Sequence, residues 1–328
     1  MLNKVKNKIK QIRREIPECS GDVEALLILA DFLVSKKRYH VLFEEYRQYG
    51  FYKLRNRAKR EYITEYDVIH VMPGLFSDKE LRKKLDDKSS FNAFFADFLG
   101  REYCLIDENN EEAFVRFIQD KKTFIVKPTD SWCGHGVAKV DVPVGDVGKR
   151  ELYRKLISEY KKFLAEECFI QHEAIGRLNP DSVNTIRVIS MIDKDGEVHV
   201  PFASIRIGRK GSAVDNFCAG GMAAAIDVDT GMIITHAFDG AGNNFFVHPD
   251  TGIRIIGFEI PEWKQLVQTV RDAAKRLGGI RFVGWDVVVR HDGKVCLIEG
   301  NSSPGARTLQ LPLKKGLKPV YHKYLGKF

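Results

Sequence analysis

"FVGWDVVVRHDGKVCLIEGNSSPG", residues 282–305, reads as two apolar strands around a tight turn, with Asp286 on one arm and Glu299 and Asn301 on the other. Asp292-Gly293 between apolar runs is a strong hairpin signal, because a two-residue type I′ turn needs φ > 0 at both central positions. With those two residues as the loop, His291 faces Lys294, Val289 faces Cys296 and Asp286 faces Glu299. Period two puts Asn301 on the face of Glu299. Three oxygen-bearing side chains are therefore expected on one patch of one sheet face. Directly opposed carboxylates destabilise a sheet unless something neutralises them. A hard divalent cation does so, and Mg²⁺ takes one or two protein carboxylates together with substrate phosphates. The competing reading is a solvated outer face on which the acids meet Lys or Arg. Gly300 and the run Ser302-Ser303-Pro304-Gly305 tip the balance to a metal, as a loop suited to close approach of a ligand. On this reading Asp286→Asn and Glu299→Gln are each expected to be neutral or stabilising without metal, since either relieves the like-charge pair.

The chain has 328 residues, long enough for two or three lobes, and its 44% hydrophobic and 29% charged content is that of a soluble globular protein. No apolar run approaches the roughly 18 residues of a membrane span. The N-terminus, MLNKVKNKIKQIRREIPE, is basic but lacks the apolar core of a signal peptide. Six cysteines stand at 19, 104, 133, 168, 218 and 296, with neither a C-x-x-C nor a zinc spacing, which fits reduced thiols and a cytoplasmic location. Of the net charge of +8, residues 1–88 carry +6 (20 Lys/Arg against 14 Asp/Glu). That excess suits either a solubilising helical face or an anionic partner: a nucleotide sugar, a lipid-linked glycan or a peripheral membrane or glycan-assembly surface.

Residues 1–100 read as a helical N-terminal region. Val23 to Val34 (VEALLILADFLV) is apolar nearly all round and is expected to be buried on most sides. Residues 39–59 have helical spacing broken at Gly50. Shorter helices are expected at 77–85 and 90–99, with Ser77 and Ser90 as N-caps. From about residue 103 short β-runs take over, at 123–127, 137–142, 168–171, 184–192, 197–207, 222–228 and 233–238. Helices interrupt them at 147–164 and at 261–277, the latter starting at Pro261. The class is α+β: the helical region (1–100), a small strand-helix lobe with a glycine-rich loop (101–172) and a larger antiparallel-sheet lobe (173–328).

Three more stretches carry chemistry. In "FIVKPTDSWCGHGVAKV", 124–140, a strand ends at Lys127 and a loop holds Ser131, Gly134, His135 and Gly136. Such a loop can lay backbone N–H groups and a positive charge over a polyphosphate. It is no Walker A loop, and no kinase catalytic-loop signature accompanies Phe238-Asp239-Gly240. In "EECFIQHEAIG", 166–176, an apolar strand runs into Gln171, His172 and Glu173, either a plain strand end or a linker offering its backbone to adenine. In "VNTIRVISM", 183–191, Arg187 enters a strand, where its planar fork fits phosphate, carboxylate or a structural ion pair.

The order of these pieces resembles the ATP-grasp superfamily, and "LDDKSSFNAFF" (85–95) resembles the Asp-Lys segment that opens its nucleotide site. More narrowly, "EYRQYGFYKL", "LDDKSSF", "VNTIRV", "NFCAGG" and "LIEGNSSPG" resemble sugar-transfer-associated and teichuronopeptide-type ATP-grasp proteins, from about Tyr39 to the C-terminal region. The resemblance implies an ATP-grasp fold that clasps ATP between the small and large lobes. It implies that Lys88 and Lys127 contact phosphates, that the Ser131–Gly136 loop closes over them and that residues 170–173 hold adenine, with Glu173 near the ribose. Asp286, Glu299 and Asn301 would hold Mg²⁺, and Arg187 would stabilise the transferred phosphate. Asn216, Gly220, Gly221, Ser302, Ser303 and Arg307 would border the acceptor pocket.

The activity so implied is an ATP- and Mg²⁺-dependent carboxylate–amine ligase working through an acyl phosphate. Its partners would be an amine and a small-molecule or glycan-linked carboxylate, such as a uronic acid. Two rivals remain: a kinase on the same scaffold acting on a sugar hydroxyl, and a nucleic-acid binder built on the basic N-terminus with Tyr46, Tyr49, Tyr52 and Tyr62. The second leaves Asp286 and Glu299 without a purpose, so no nucleic-acid partner is expected.

Overall fold

The computed structural model describes residues 2–129, 136–212, 215, 217 and 220–328, the side chains of residues 2 and 4 apart. Among the described residues eleven strands form two antiparallel sheets. The first has the order β1-β4-β2-β3, built from β1 (Tyr103–Ile106), β2 (Thr123–Pro128), β3 (Ala138–Asp141) and β4 (Phe163–Glu167). The second has the order β11-β10-β5-β6-β7-β8-β9. It contains β5 (Ile186–Ile192), β6 (Val198–Ile207), β7 (Met222–Ile226), β8 (Ala237–Asp239), β9 (Asn244–Phe245), β10 (Phe282–Val289) and β11 (Val295–Asn301).

Alternation in the central strands of the larger sheet decides where the chemistry lies. Ile186, Val188, Ile205, Val283, Trp285 and Val287 point to one face and pack with Leu266, Val270 and Ala273 of the helix Trp263–Leu277. Burying each such side chain contributes about 1.5–3 kcal/mol. Period two then commits Arg187, Arg206 and Asp286 to the other face. Farther along that face Ile189, Met191, Phe202 and Phe282 make a second core with Leu309 and Tyr321. Beyond that apolar end Arg187, Arg206 and Asp286 face a cavity.

Several sequence expectations change. The helices after Ser77 are Lys79–Asp86 and Lys88–Phe94, and their caps are the aspartates. Asp78 accepts from the backbone N–H of Glu80 and Leu81, each at 2.9 Å, and Asp87 from that of Ser90 at 2.7 Å. The helix expected at 147–164 is Gly145–Tyr160. The strand follows it at Phe163–Glu167, earlier than the run at 168–171. Helix Asp22–Tyr39 buries one face only, through Ala25, Ile28, Leu29 and Phe32. Tyr46, Tyr49 and Tyr62 are buried in that N-terminal core, so they offer no aromatic surface to a nucleic acid. Among the described residues no helix is long and apolar enough to cross a membrane.

Candidate active site

The turn of the 282–305 hairpin is not a two-residue loop. Arg290 N–H donates to Lys294 O at 2.9 Å and Gly293 N–H to Arg290 O at 3.0 Å, enclosing His291, Asp292 and Gly293, with Gly293 at φ +81°. This three-residue loop ends in a left-handed glycine, and it pairs Val289 with Val295 and Val288 with Cys296. A bulge then leaves Ile298 unpaired, and the register returns to Asp286 opposite Glu299. The expected pairing of the acids holds, by a different route.

Asp286 is fully buried, and it is gripped by two cations. Arg187, its cross-strand neighbour on β5, donates through Nε to Oδ1 and through Nη2 to Oδ2, the latter at 3.0 Å. Arg206 on β6 donates through Nη2 to Oδ2 at 2.6 Å, and its Nε reaches Thr185 Oγ1 at 2.9 Å. Gly284 makes the room: a Cβ there would lie 2.5 Å from Pro304 Cβ and 3.2 Å from Arg187 Cδ. Burial opposes ionisation of Asp286, but Arg187 and Arg206 outweigh it and hold the carboxyl well below its usual range. Glu299 has no such grip. It forms no ion pair among the described residues, and burial together with the charge of Asp286 pushes its carboxyl up.

Glu299 and Asn301 therefore suit a hard cation. The Asn301 amide donates to Gly284 O at 3.3 Å and to Glu299 Oε1 at 3.4 Å, which leaves its own oxygen to accept or ligate. Among the described residues no group of three or more His, Cys, Asp or Glu could hold a metal. Glu299 and Asn301 offer the open oxygens, and Asp286 would ligate only by sharing an oxygen that Arg187 or Arg206 now holds. So few protein ligands leave positions for phosphate oxygens, which is the habit of Mg²⁺ rather than of an all-protein metal cage.

These groups line one cavity of about 1530 Å³ together with Lys88, Lys127, Gln171, Glu173, Arg187, Ser303 and Arg307. Lys127 on β2 reaches Glu166 of β4 at 2.6 Å. Glu166 is buried and also takes Arg101 Nε at 2.9 Å and Asn92 Nδ2 at 2.9 Å. Burial opposes its ionisation, yet Arg101 and Lys127 prevail and keep the carboxyl far below the ordinary value. Arg101 also donates to Leu297 O at 2.7 Å and Ile298 O at 3.3 Å, so one guanidinium ties the lysine-bearing sheet to the bulge that sets Glu299.

Other expected residues sit differently. Gln171 lines the cavity, but its amide is engaged by Ser182 O (2.8 Å) and Asn184 N–H (3.0 Å). His172 lies off the cavity wall, and its Nδ1 caps the short helix Glu173–Gly176 through Ala174 N–H at 3.2 Å. Ser302 donates to Asp86 at 2.8 Å, and neither Ser302, Gly136, Gly220 nor Gly221 lines the cavity. Gly300 lines the cavity and lets Leu85 and Phe91 pack close to it: a Cβ would lie 2.8 Å from Leu85 Cδ2 and 3.2 Å from Phe91 Cε2. Arg307 is paired with Glu65 (3.1 Å) and Glu44 (3.0 Å). Ser131, Gly134, His135 and Asn216 fall outside the described residues. Sequence reading passed over Arg206, Glu166, Arg101 and Glu65. A cation inside the apolar run ASIRI was a usable signal for Arg206, of the kind that drew attention to Arg187.

A family model described as sugar-transfer associated ATP-grasp matches residues 57–324. The chain belongs to that family. The match starts later than Tyr39, so the helices Leu2–Glu15, Asp22–Tyr39 and Phe43–Gln48 of this ATP-grasp protein lie outside it. Among solved structures, the ATP-grasp ligase PsnB complexed with minimal precursor, Mg and ADP is similar at 15% identity and TM-score 0.46, over 75% of this chain and 59% of that one. D-alanyl-alanine synthetase A from Vibrio cholerae is similar at 12% identity and TM-score 0.45, over 80% and 66%. An L-amino acid ligase from Bacillus licheniformis is similar at 15% and 0.44, over 75% and 49%. The chain thus spans less than two thirds of the length of these relatives. No curated protein matches it.

Proposed function

We propose that this ATP-grasp protein is an ATP- and Mg²⁺-dependent carboxylate–amine ligase acting through an acyl phosphate. The observation that carries the reading is the charge layout of the cavity, with Lys127 on one sheet and Asp286, Glu299 and Asn301 on the other. Polyphosphate needs cations on one side and, when it arrives with Mg²⁺, carboxylates on the other. Asp286, Glu299 and Asn301 would hold the ion, which supplies neutralising charge at the transferred phosphate.

In the first step a carboxylate oxygen of the acceptor attacks the γ-phosphorus and ADP leaves. In the second, the amine nitrogen attacks the acyl carbon, phosphate departs and the amine gives up its proton. Lys127 would balance charge growing on the phosphoryl oxygens, while Arg187 and Arg206 fit either that charge or the acceptor carboxylate. Enclosing the acyl phosphate keeps water from it. The sugar-transfer association of the family supports a uronic-acid or glycan-linked carboxylate as acceptor.

The test is ADP release with candidate acids in the presence of hydroxylamine. A ligase gives a hydroxamate, ADP and free phosphate even without the natural amine, and Lys127→Ala suppresses hydroxamate and natural product together. Stoichiometric phosphate retained on the acceptor, with no hydroxamate, would instead identify a kinase.

A further inference from the structure

Helix Asp22–Tyr39 turns Ala25, Ile28, Leu29 and Phe32 into the N-terminal core. Its opposite face repeats apolar residues at the same spacing. Val23, Leu26, Leu27, Leu33 and Val34 are 46–74% exposed, with Ala30 between them also exposed. Steps of three and four residues set them in one stripe. Single exposed apolar residues need no explanation, but a contiguous stripe rimmed by charge marks a docking surface.

The charge beside the stripe is unbalanced. At 100° per residue Lys37 falls within it and Arg38 borders its C-terminal end, while Lys36 is exposed nearer the core-facing side. None of the three forms an ion pair with a described residue. The nearby acids are taken: Asp22 by Arg13 at 2.9 Å, Glu24 by the Ser20 backbone N–H at 2.7 Å and hydroxyl at 2.8 Å, and Asp31 by Lys59 at 2.6 Å. The preceding helix, Leu2–Glu15, brings more lysines and ends in Arg13 and Arg14.

We propose that this face docks on an anionic lipid bilayer. The helix would lie in the interfacial plane, its apolar stripe entering the headgroup boundary while Lys37 and Arg38 meet lipid phosphates. A second copy of the chain fits less well. From Val23 to Val34 the stripe is about 17 Å long and roughly one helix (about 10 Å) wide. That is well short of the roughly 800 Å² per partner buried in a stable protein interface. An antiparallel pair of copies would bring the basic cluster to Asp22 and Glu24, which Arg13 and Ser20 already hold.

The experiment is cosedimentation of the full chain with vesicles of phosphatidylglycerol and phosphatidylcholine, against vesicles of phosphatidylcholine alone. Binding is expected to the anionic vesicles only and to weaken steeply with salt. Leu27→Ser/Leu33→Ser and Lys37→Gln/Arg38→Gln should each weaken partitioning about tenfold or more. These positions face solvent, so an unchanged thermal melt checks that the fold is kept. Absence of binding to anionic vesicles would overturn the proposal, as would binding that the leucine pair does not alter. So would a solution dimer that Leu27→Ser/Leu33→Ser dissociates.

Discussion

Asp286 and Glu299 oppose each other across β10 and β11 only because Ile298 bulges out of the ladder. The turn alone would set the strands one residue out of step with that pairing. Arg101 holds the bulge by its carbonyls, and its other side is spent on Glu166, the partner of Lys127. The geometry of the acid pair and the placing of the opposite lysine thus share one guanidinium.

The two acids should respond oppositely to neutralisation in the absence of metal, which revises the expectation that both changes are neutral or stabilising. Asp286→Asn removes the carboxylate that satisfies Arg187 and Arg206, and breaking such a buried pair costs roughly 3–5 kcal/mol. Glu299→Gln relieves a like-charge contact and should stabilise by up to about 1 kcal/mol. Urea unfolding of both variants in EDTA at neutral pH reads the two signs.

Glu166 predicts a pH window. Its folded carboxyl lies below the unfolded value of about 4.3. Its ion pairs therefore stabilise fully above that value, and their contribution is lost as pH falls towards the folded one. Glu166→Gln should be less stable than wild type at neutral pH and show a flatter loss of stability between about pH 4 and 2. Acid unfolding curves of the two proteins test this.

Arg206→Lys keeps the charge and loses the planar fork that spans Asp286 and Thr185. If Arg206 serves the phosphoryl or acceptor charge, kcat for ATP-dependent turnover should fall roughly a hundredfold, with KM for ATP little changed. A kcat loss that disappears once activity is corrected for the fraction folded at the assay temperature would assign it to structure alone.

The acid pair and the strand arginine were legible because a charged residue inside an apolar run is an anomaly that a sequence displays, and the lysine of β2 because a glycine-bearing loop follows the strand it ends. What failed was long range or cumulative. Arg101 meets Glu166 across 65 residues, and nothing near either announces the other. Glu166 was further hidden because β4 begins only a few residues after helix Gly145–Tyr160. Asp292-Gly293 signalled a turn but not its length, and the compensating bulge at Ile298 has no local signature. The helix Asp22–Tyr39 is apolar on both faces, so its sequence could not say that one of them stays open.

The cap assignments carry a smaller test. Asp87 accepts from Ser90 N–H at the start of Lys88–Phe94, the helix whose first residue lines the cavity. Asp87→Ala should cost about 1 kcal/mol, whereas Ser90→Ala should cost less, since it keeps the backbone N–H that the cap uses and loses only the hydroxyl contact to Asp87. Thermal denaturation of the pair distinguishes them.

The central claim is that the acid pair and Lys127 together hold a metal-bound nucleotide, and calorimetric titration with a non-hydrolysable ATP analogue tests it most directly. Binding to wild type should require Mg²⁺, and Glu299→Gln and Lys127→Ala should each weaken it about tenfold or more. Equal affinity with and without Mg²⁺, or full Mg²⁺-dependent affinity in Glu299→Gln, would contradict it.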